Sequence, residues 1–293
     1  MNLIFVFFAS LLFGFNILNS MIIAGVVYAT SSSITAKLLE DKKRLANQET
    51  EFILALLIFE DLVAPVVVSL LVSLNKGQDF SLYIMFVLFL KICLLISGAI
   101  IIGYFGFRKL TNFISSQLEK DFMPLFSVGI ALLYSGFAVY LGLSEILGAF
   151  LAGVILSESG KSSELAHVIF PVRDLTLPFF FFWFGTTINL GSGVSNIPFL
   201  LFLILYSILG KIITGFYGGR LYGLSKKVSL RAGLSLIQRG EFSIIIAALA
   251  SDQLKVFGGI YVFVIALSGS LFFSKAPKIA NRIYPPRKKL NML

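Results

Sequence analysis

The sequence predicts an all-α, polytopic membrane protein of about ten transmembrane helices, and three observations lead there. Apolar residues make up 57% of the 293 and charged residues only 13%, whereas soluble domains run near half and a quarter. Apolar runs of about 20 residues, the length a helix needs to span ~30 Å of hydrocarbon, recur from one end of the chain to the other. The basic residues are crowded into every second loop between those runs. Spanning segments must satisfy their own backbone hydrogen bonds, and no alternating barrel pattern is present, so the spans read as helices.

Ten spans fit the pattern, at about 2–14, 20–39, 52–74, 81–105, 123–141, 144–158, 174–190, 197–222, 229–251 and 257–274; the first and sixth are short. Polar stretches such as DKKRLANQE, SSQLEKD and GLSKKVS separate them. The opening MNLIFVFFASLLFGF has no basic start and no small-residue cleavage site. It reads as a helix entered almost at once, as though upstream sequence were absent, rather than as a signal peptide. No soluble domain, long linker or G-x-G-x-x-G motif interrupts the series.

The basic residues give the orientation. One side holds Lys37, Lys42, Lys43 and Arg44, then Arg108, Lys109 and Lys120, then Lys161 and Arg173, then Arg220, Lys226, Lys227 and Arg231. The tail adds Lys275, Lys278, Arg282, Arg287, Lys288 and Lys289, while the other side holds only Lys76 and Lys255. The positive-inside rule places both termini in the cytoplasm of a cell-membrane protein. It also accounts for the net charge of +9, which is spread beside anionic lipid and does not form a nucleic-acid surface. The single Cys93 lies in an apolar run and the single His167 in a polar loop, so neither a disulfide framework nor a Cys-based metal site is expected. No cofactor motif and no nucleophile–base arrangement appears, which argues against an enzyme.

Three basic residues remain inside spans: Lys91, Lys211 and Arg239. An ionisable group at the bilayer centre costs at least ~2.5–3.5 kcal/mol, so such groups face a cavity or a partner. Glu60 and Asp61 stand mid-span in ILALLIFEDLVAPVVVSLLV. Adjacent helix positions differ by about 100°, so one carboxylate can meet a fixed cationic partner while the other faces a cavity. Pro65 has no N–H to give the Asp61 carbonyl, which favours a kink and a free oxygen beside a carboxylate. Lys211, in the middle of LFLILYSILGKIITGFYGG, is the natural partner for one of the two acids. Lys91 reads as an interhelical contact or a snorkelling side chain.

Two spans carry polar interruptions. YATSSSITAKLL places Thr30, Ser31, Ser32 and Ser33 within an apolar helix, and short hydroxyl side chains can support a break. LSLIQRGEFSIII places Gln238, Arg239, Gly240 and Glu241 in a later one. Arg239 and Glu241 are open to two readings, a local salt bridge or a functional role. Interrupted helices at corresponding places in two halves point to an inverted-repeat transporter with a midplane site.

These pieces, ATSSSITAKLLED, FEDLVAP, EILGAFLAGVILSES, the Lys211 helix and QRGEF, resemble in order the monovalent cation:proton antiporters. The likeness is to the branch of the glutathione-gated potassium efflux proteins and the NapA-type sodium/proton exchangers, without their first helices. The resemblance implies two broken crossing helices, a core of about 1–74 and 197–274, intervening scaffold and linker helices at 81–190, and a homodimer. Residues 1–274 would form the exchanger domain and 275–293 a basic cytoplasmic tail. It implies that Asp61 binds the monovalent cation (Na⁺ or K⁺) and the proton in turn and that Glu60 pairs with Lys211. Thr30, Ser31 and Ser32 would stand at the first crossing, with Gln238, Arg239 and Glu241 at the second. Competing readings are a truncated or regulatory homologue that does not transport, and a sodium-coupled solute symporter of similar fold.

Overall fold

The computed structural model describes residues 2–75, 82–107, 122–159 and 162–285. Eight of the basic residues used for orientation (Lys76, Arg108, Lys109, Lys120, Lys161, Arg287, Lys288 and Lys289) lie outside them. The described residues form α-helices and short turns with no strand: α1 (Asn2–Leu12), α2 (Ile17–Tyr28), α3 (Ser32–Asp41), α4 (Gln48–Asn75), α5 (Leu82–Ile101), α6 (Met123–Tyr140), α7 (Glu145–Ser157), α8 (Ser162–Thr187), α9 (Ile197–Leu221), α10 (Lys226–Leu234), α11 (Glu241–Ala248) and α12 (Asp252–Ile283). Seven segments are long and apolar enough to cross a membrane: α2 with α3, α4, α5 with its wider turn, α6, α8, α9 and α12. The apolar helices α1 and α7 are too short to qualify, and α10 and α11 are separated by a break.

The chain divides into two compact units, Met1–Ala64 with Ile188–Leu293, and Pro65–Thr187. The long helix α4 runs through Pro65 and contributes to both. In the first unit Leu39, Phe52, Ile53, Leu57, Ala232, Leu236 and Phe273 form a buried core. In the second, Leu88, Leu95, Tyr134, Leu147 and Leu151 belong to another. There the Tyr134 hydroxyl donates to the Leu95 carbonyl at 2.7 Å, and Ser144 N–H donates to Ser69 Oγ at 3.1 Å. A Cβ at Gly148 would come within 2.6 Å of Ser135 Cα, so glycine there sets how closely α7 approaches α6.

Small residues also position the site. A Cβ at Gly233 would lie 2.6 Å from the Ile212 carbonyl, and one at Gly215 would strike Gly233 Cα. The backbones of α9 and α10 therefore touch, and α9 brings Lys211 against the second broken helix.

Two boundaries differ from those read in the sequence. α8 starts at Ser162, a dozen residues before the expected span, so His167 is an exposed residue on a helix and not a loop residue. α12 continues past the last apolar residues to Ile283, with Ala276 and Ala280 buried beneath Lys275, Lys278 and Arg282. Hydropathy marks where hydrocarbon contact stops, and an amphipathic face prolongs the helix beyond it.

Candidate functional site

Each interruption ends one helix and starts another. After α2, Ala29 is extended, and Ser31 caps α3 by accepting the Ile34 N–H at 3.3 Å. After α10, residues 235–240 leave the helix and Gly240 leads into α11. The two breaks meet. Ser31 N–H donates to the Gln238 carbonyl at 3.0 Å, and Thr30 Oγ donates to the Leu236 carbonyl at 3.3 Å. A Cβ at Gly240 would collide with the Ser31 side chain, so only glycine permits this approach.

Around this junction the structure gathers the residues singled out in the sequence. Glu60 and Lys211 form a buried ion pair between α4 and α9. The second Glu60 oxygen accepts the Thr30 N–H at 2.7 Å, which ties the carboxylate to the first break. Both oxygens of Glu60 are thereby occupied. Asp61, one residue on, is half-buried and points elsewhere. Its Oδ1 is enclosed with no hydrogen-bond partner among the described residues. Glu60 is thus the member of the pair that is held, and Asp61 the one with free ligating capacity.

Glu241 opens α11 and receives a fan of hydroxyls from the other break: Ser31 at 2.9 Å and Ser33 at 3.0 Å on Oε2, and Ser32 at 3.4 Å on Oε1. The carboxylate therefore lies at the N-terminal ends of both α3 and α11, where helix dipoles favour negative charge. Arg239 does not pair with it. Fully buried, Arg239 donates from Nη1 to the carbonyls of Ile237 at 3.3 Å and Gln238 at 3.4 Å, and Nε and Nη2 have no hydrogen-bond partner among the described residues. A local Arg239–Glu241 salt bridge, one of the two sequence readings, is absent. Gln238 is also fully buried and donates to the Gly269 carbonyl at 3.3 Å.

A cavity of about 220 Å³ opens beside the ion pair, lined by Asn2, Tyr28, Phe52, Leu56, Phe59, Glu60, Lys211, Thr214 and Gly218. No group of three or more His, Cys, Asp or Glu able to hold a metal exists among the described residues. Any cation here would rest on one or two carboxylates, hydroxyls and backbone oxygens, a hard-oxygen set without the imidazole or thiolate ligands that suit zinc or copper.

Sequence reasoning missed a second buried charge cluster. Arg44, counted above as a loop residue, bonds Glu49 and Ser235 at 2.9 Å each and the Phe273 carbonyl at 3.2 Å. Arg231 pairs with the other Glu49 oxygen. The sequence offered one signal, an acid in the first turn of an apolar helix immediately after a basic loop. Ser33 was likewise named only in passing, yet it holds Glu241 as closely as Ser31 does.

Buried charges at the junction of two interrupted helices, in an apolar helical chain, define an integral membrane protein of the ion-transporting class. The family profile for the sodium/hydrogen exchanger transmembrane region matches residues 1–274, and the chain belongs to that family of monovalent cation:proton antiporters, whose members are transporters and not enzymes. It is 50% identical to the ammonium/H⁺ antiporter subunit AmhT of Alkalihalophilus pseudofirmus over 96% of this chain and 72% of that protein. It is 35% identical to the K⁺/H⁺ antiporter subunit KhtU of Bacillus subtilis, over 91% of this chain and 67% of that one. Similarity to the high-affinity Na⁺/H⁺ antiporter NhaS3 of Synechocystis is 28% over 82% of this chain and 53% of the relative.

Proposed function

We propose that this chain exchanges a monovalent cation for protons across the cell membrane, with Asp61 as the exchange site. One observation carries the reading. Glu60 has both oxygens engaged, by Lys211 and the Thr30 N–H, while its neighbour Asp61 keeps an enclosed, unpartnered carboxylate oxygen at the meeting point of two helix breaks. A single carboxylate carries one negative charge, which a proton or one monovalent cation can neutralise. Competition for that charge couples the two fluxes without a second site. The relatives' names cover ammonium, K⁺ and Na⁺, so the substrate class is the small monovalent cation.

The wider architecture belongs to the same proposal. Ten spans follow if the short α1 and α7 and the broken α10–α11 each cross, with the paired breaks forming an inverted repeat and both termini cytoplasmic. The core would be 1–74 with 197–274 and the scaffold 81–190, supported by the way 1–64 clusters with 188–293 apart from 65–187. The basic stretch 275–293 would form a cytoplasmic tail, and the chain would work as a homodimer.

Purified protein in proteoliposomes with a pH-sensitive dye tests the exchange reading, with Na⁺, K⁺ and NH₄⁺ supplied in turn. Wild type is expected to dissipate a proton gradient on addition of at least one cation, and Asp61→Asn to lose that response. Cation-dependent proton movement through Asp61→Asn would overturn the assignment.

A further inference from the structure

We infer that Arg239 is a specificity-determining residue: its positive charge, held by no acid, brings the junction of the two helix breaks to a net charge of −1 and so limits the exchanged ion to single valence. The inference rests on Asp61 being the exchange site and adds a reason for that site to refuse divalent ions. Five charged side chains meet at the junction, tied together by hydrogen bonds. The Gln238 carbonyl accepts from Arg239 Nη1 at 3.4 Å and from the Ser31 N–H at 3.0 Å, and the Ser31 hydroxyl donates to Glu241 at 2.9 Å. Thr30, beside Ser31, donates its N–H to Glu60, which pairs with Lys211 and precedes Asp61.

The charges can be counted. Arg239 is fully buried, and a guanidinium keeps its proton even there. Glu241 faces three hydroxyl donors, the setting of a carboxylate and not of a neutral acid. Glu60 and Lys211 cancel, Arg239 and Glu241 cancel, and Asp61 is left over. The helix ends add nothing, because the N-terminal ends of α3 and α11 and the C-terminal ends of α2 and α10 carry opposite partial charges. Buried net charge is costly, so a site at −1 is neutralised best by one proton or one monovalent cation. A divalent ion would leave a buried positive charge behind. Without Arg239 the same junction would stand at −2 and would be neutralised by one divalent ion. Among the described residues Arg239 donates only to the Ile237 and Gln238 carbonyls, so its charge is not confined to one ion pair.

Cation-dependent proton flux in proteoliposomes of the full chain, with Ca²⁺ added as a hard-oxygen competitor, tests this. Arg239→Gln is expected to lower the Ca²⁺ concentration that halves the flux by about tenfold, the order that one unit charge contributes at an effective dielectric constant of about 20. It should also let Ca²⁺ raise the thermal midpoint of the detergent-solubilised protein, a readout that needs no transport. Arg239→Lys keeps the charge without the planar fork and is expected to give the wild-type Ca²⁺ response. Arg239→Gln combined with Glu241→Gln restores −1 and is expected to return that response to the wild-type level. Glu241→Gln alone leaves the junction neutral and is expected to raise the monovalent KM about tenfold. A wild-type Ca²⁺ response in Arg239→Gln would overturn the inference. So would an Arg239→Lys variant as Ca²⁺-sensitive as Arg239→Gln, which would make geometry and not charge the cause, or a double variant that stays sensitive. Where Arg239→Gln does not fold, Glu241→Gln decides, and an unchanged KM there overturns the inference. Exchange persisting in Asp61→Asn defeats this and the underlying reading together, whereas a silent Asp61→Asn beside a Ca²⁺-insensitive Arg239→Gln defeats only the role of Arg239.

Discussion

Two buried charge clusters stand in the same unit and are built on opposite plans. Glu60–Lys211 sets one acid against one base, bonded to a single backbone N–H and bordered by a cavity of about 220 Å³. Arg44–Glu49–Arg231 sets two bases against one acid and braces them from all sides. Asn47 donates to Glu49 at 3.3 Å, Thr50 to the Arg44 carbonyl at 2.7 Å, and the Arg44 guanidinium lies 4.3 Å from the centre of the Phe273 ring. The braced cluster joins the α3–α4 turn, α10 and α12, so it holds the ends of both broken helices to one long helix. The sparse pair sits where those helices break. The contrast separates charge used as a fastener from charge buried beside a cavity.

Loss of the shared acid should have the largest effect. Glu49→Gln would leave the buried Arg44 and the part-buried Arg231 without a counter-charge and is expected to cost about 3–5 kcal/mol, read as a large fall in thermal midpoint of the detergent-solubilised protein. If the protein unfolded at the wild-type temperature, the fastener reading would fail.

Lys211→Met should cost about as much or slightly less, because it strands Glu60 alone in an apolar setting. The clusters should then part company. A double variant, Glu60→Leu with Lys211→Met, replaces the sparse pair by apolar groups of similar size and is expected to regain most of the loss. The equivalent apolar swap of Glu49 and Arg231 should not recover, since Arg44 would stay buried and unpaired. Equal recovery in both swaps would erase the distinction.

The smallest effect belongs to the periphery of the braced cluster. Ser235→Ala removes one acceptor from Arg44, which keeps Glu49 and the Phe273 carbonyl, and is expected to cost about 0.5–1.5 kcal/mol. A loss as large as that of Glu49→Gln would mean that the hydroxyl, and not the acid, organises the cluster.

Much of the sparse site was legible in the sequence because membrane insertion makes polar residues conspicuous. Glu60, Asp61 and Lys211 stand out in apolar runs, and the serine and QRGE stretches interrupt helices that have no other reason to be polar. The braced cluster was not legible for the same reason reversed. Arg44, Glu49 and Arg231 lie where runs end, and a charge beside a loop is ordinarily solvated, so burial there depends on tertiary packing that composition does not encode. The start of α8 was lost because residues 162–173 mix polar and apolar positions, and only the apolar part of a helix registers as a span. The sequence also left open whether Arg239 met Glu241. The Ser31–Ser33 fan decides this in the structure, through side-chain directions across a contact 208 to 210 residues apart in the chain.

The Glu60–Lys211 pair joins positions 151 residues apart. At a synthesis rate of about 5–20 residues per second, the carboxylate leaves the ribosome roughly 8–30 s before its ammonium partner does. Through that interval α4 must be held with an uncompensated acid at its middle, while the whole 65–187 unit is made. The buried pair can therefore close only once α9 arrives, although α4 is among the first helices to be translated.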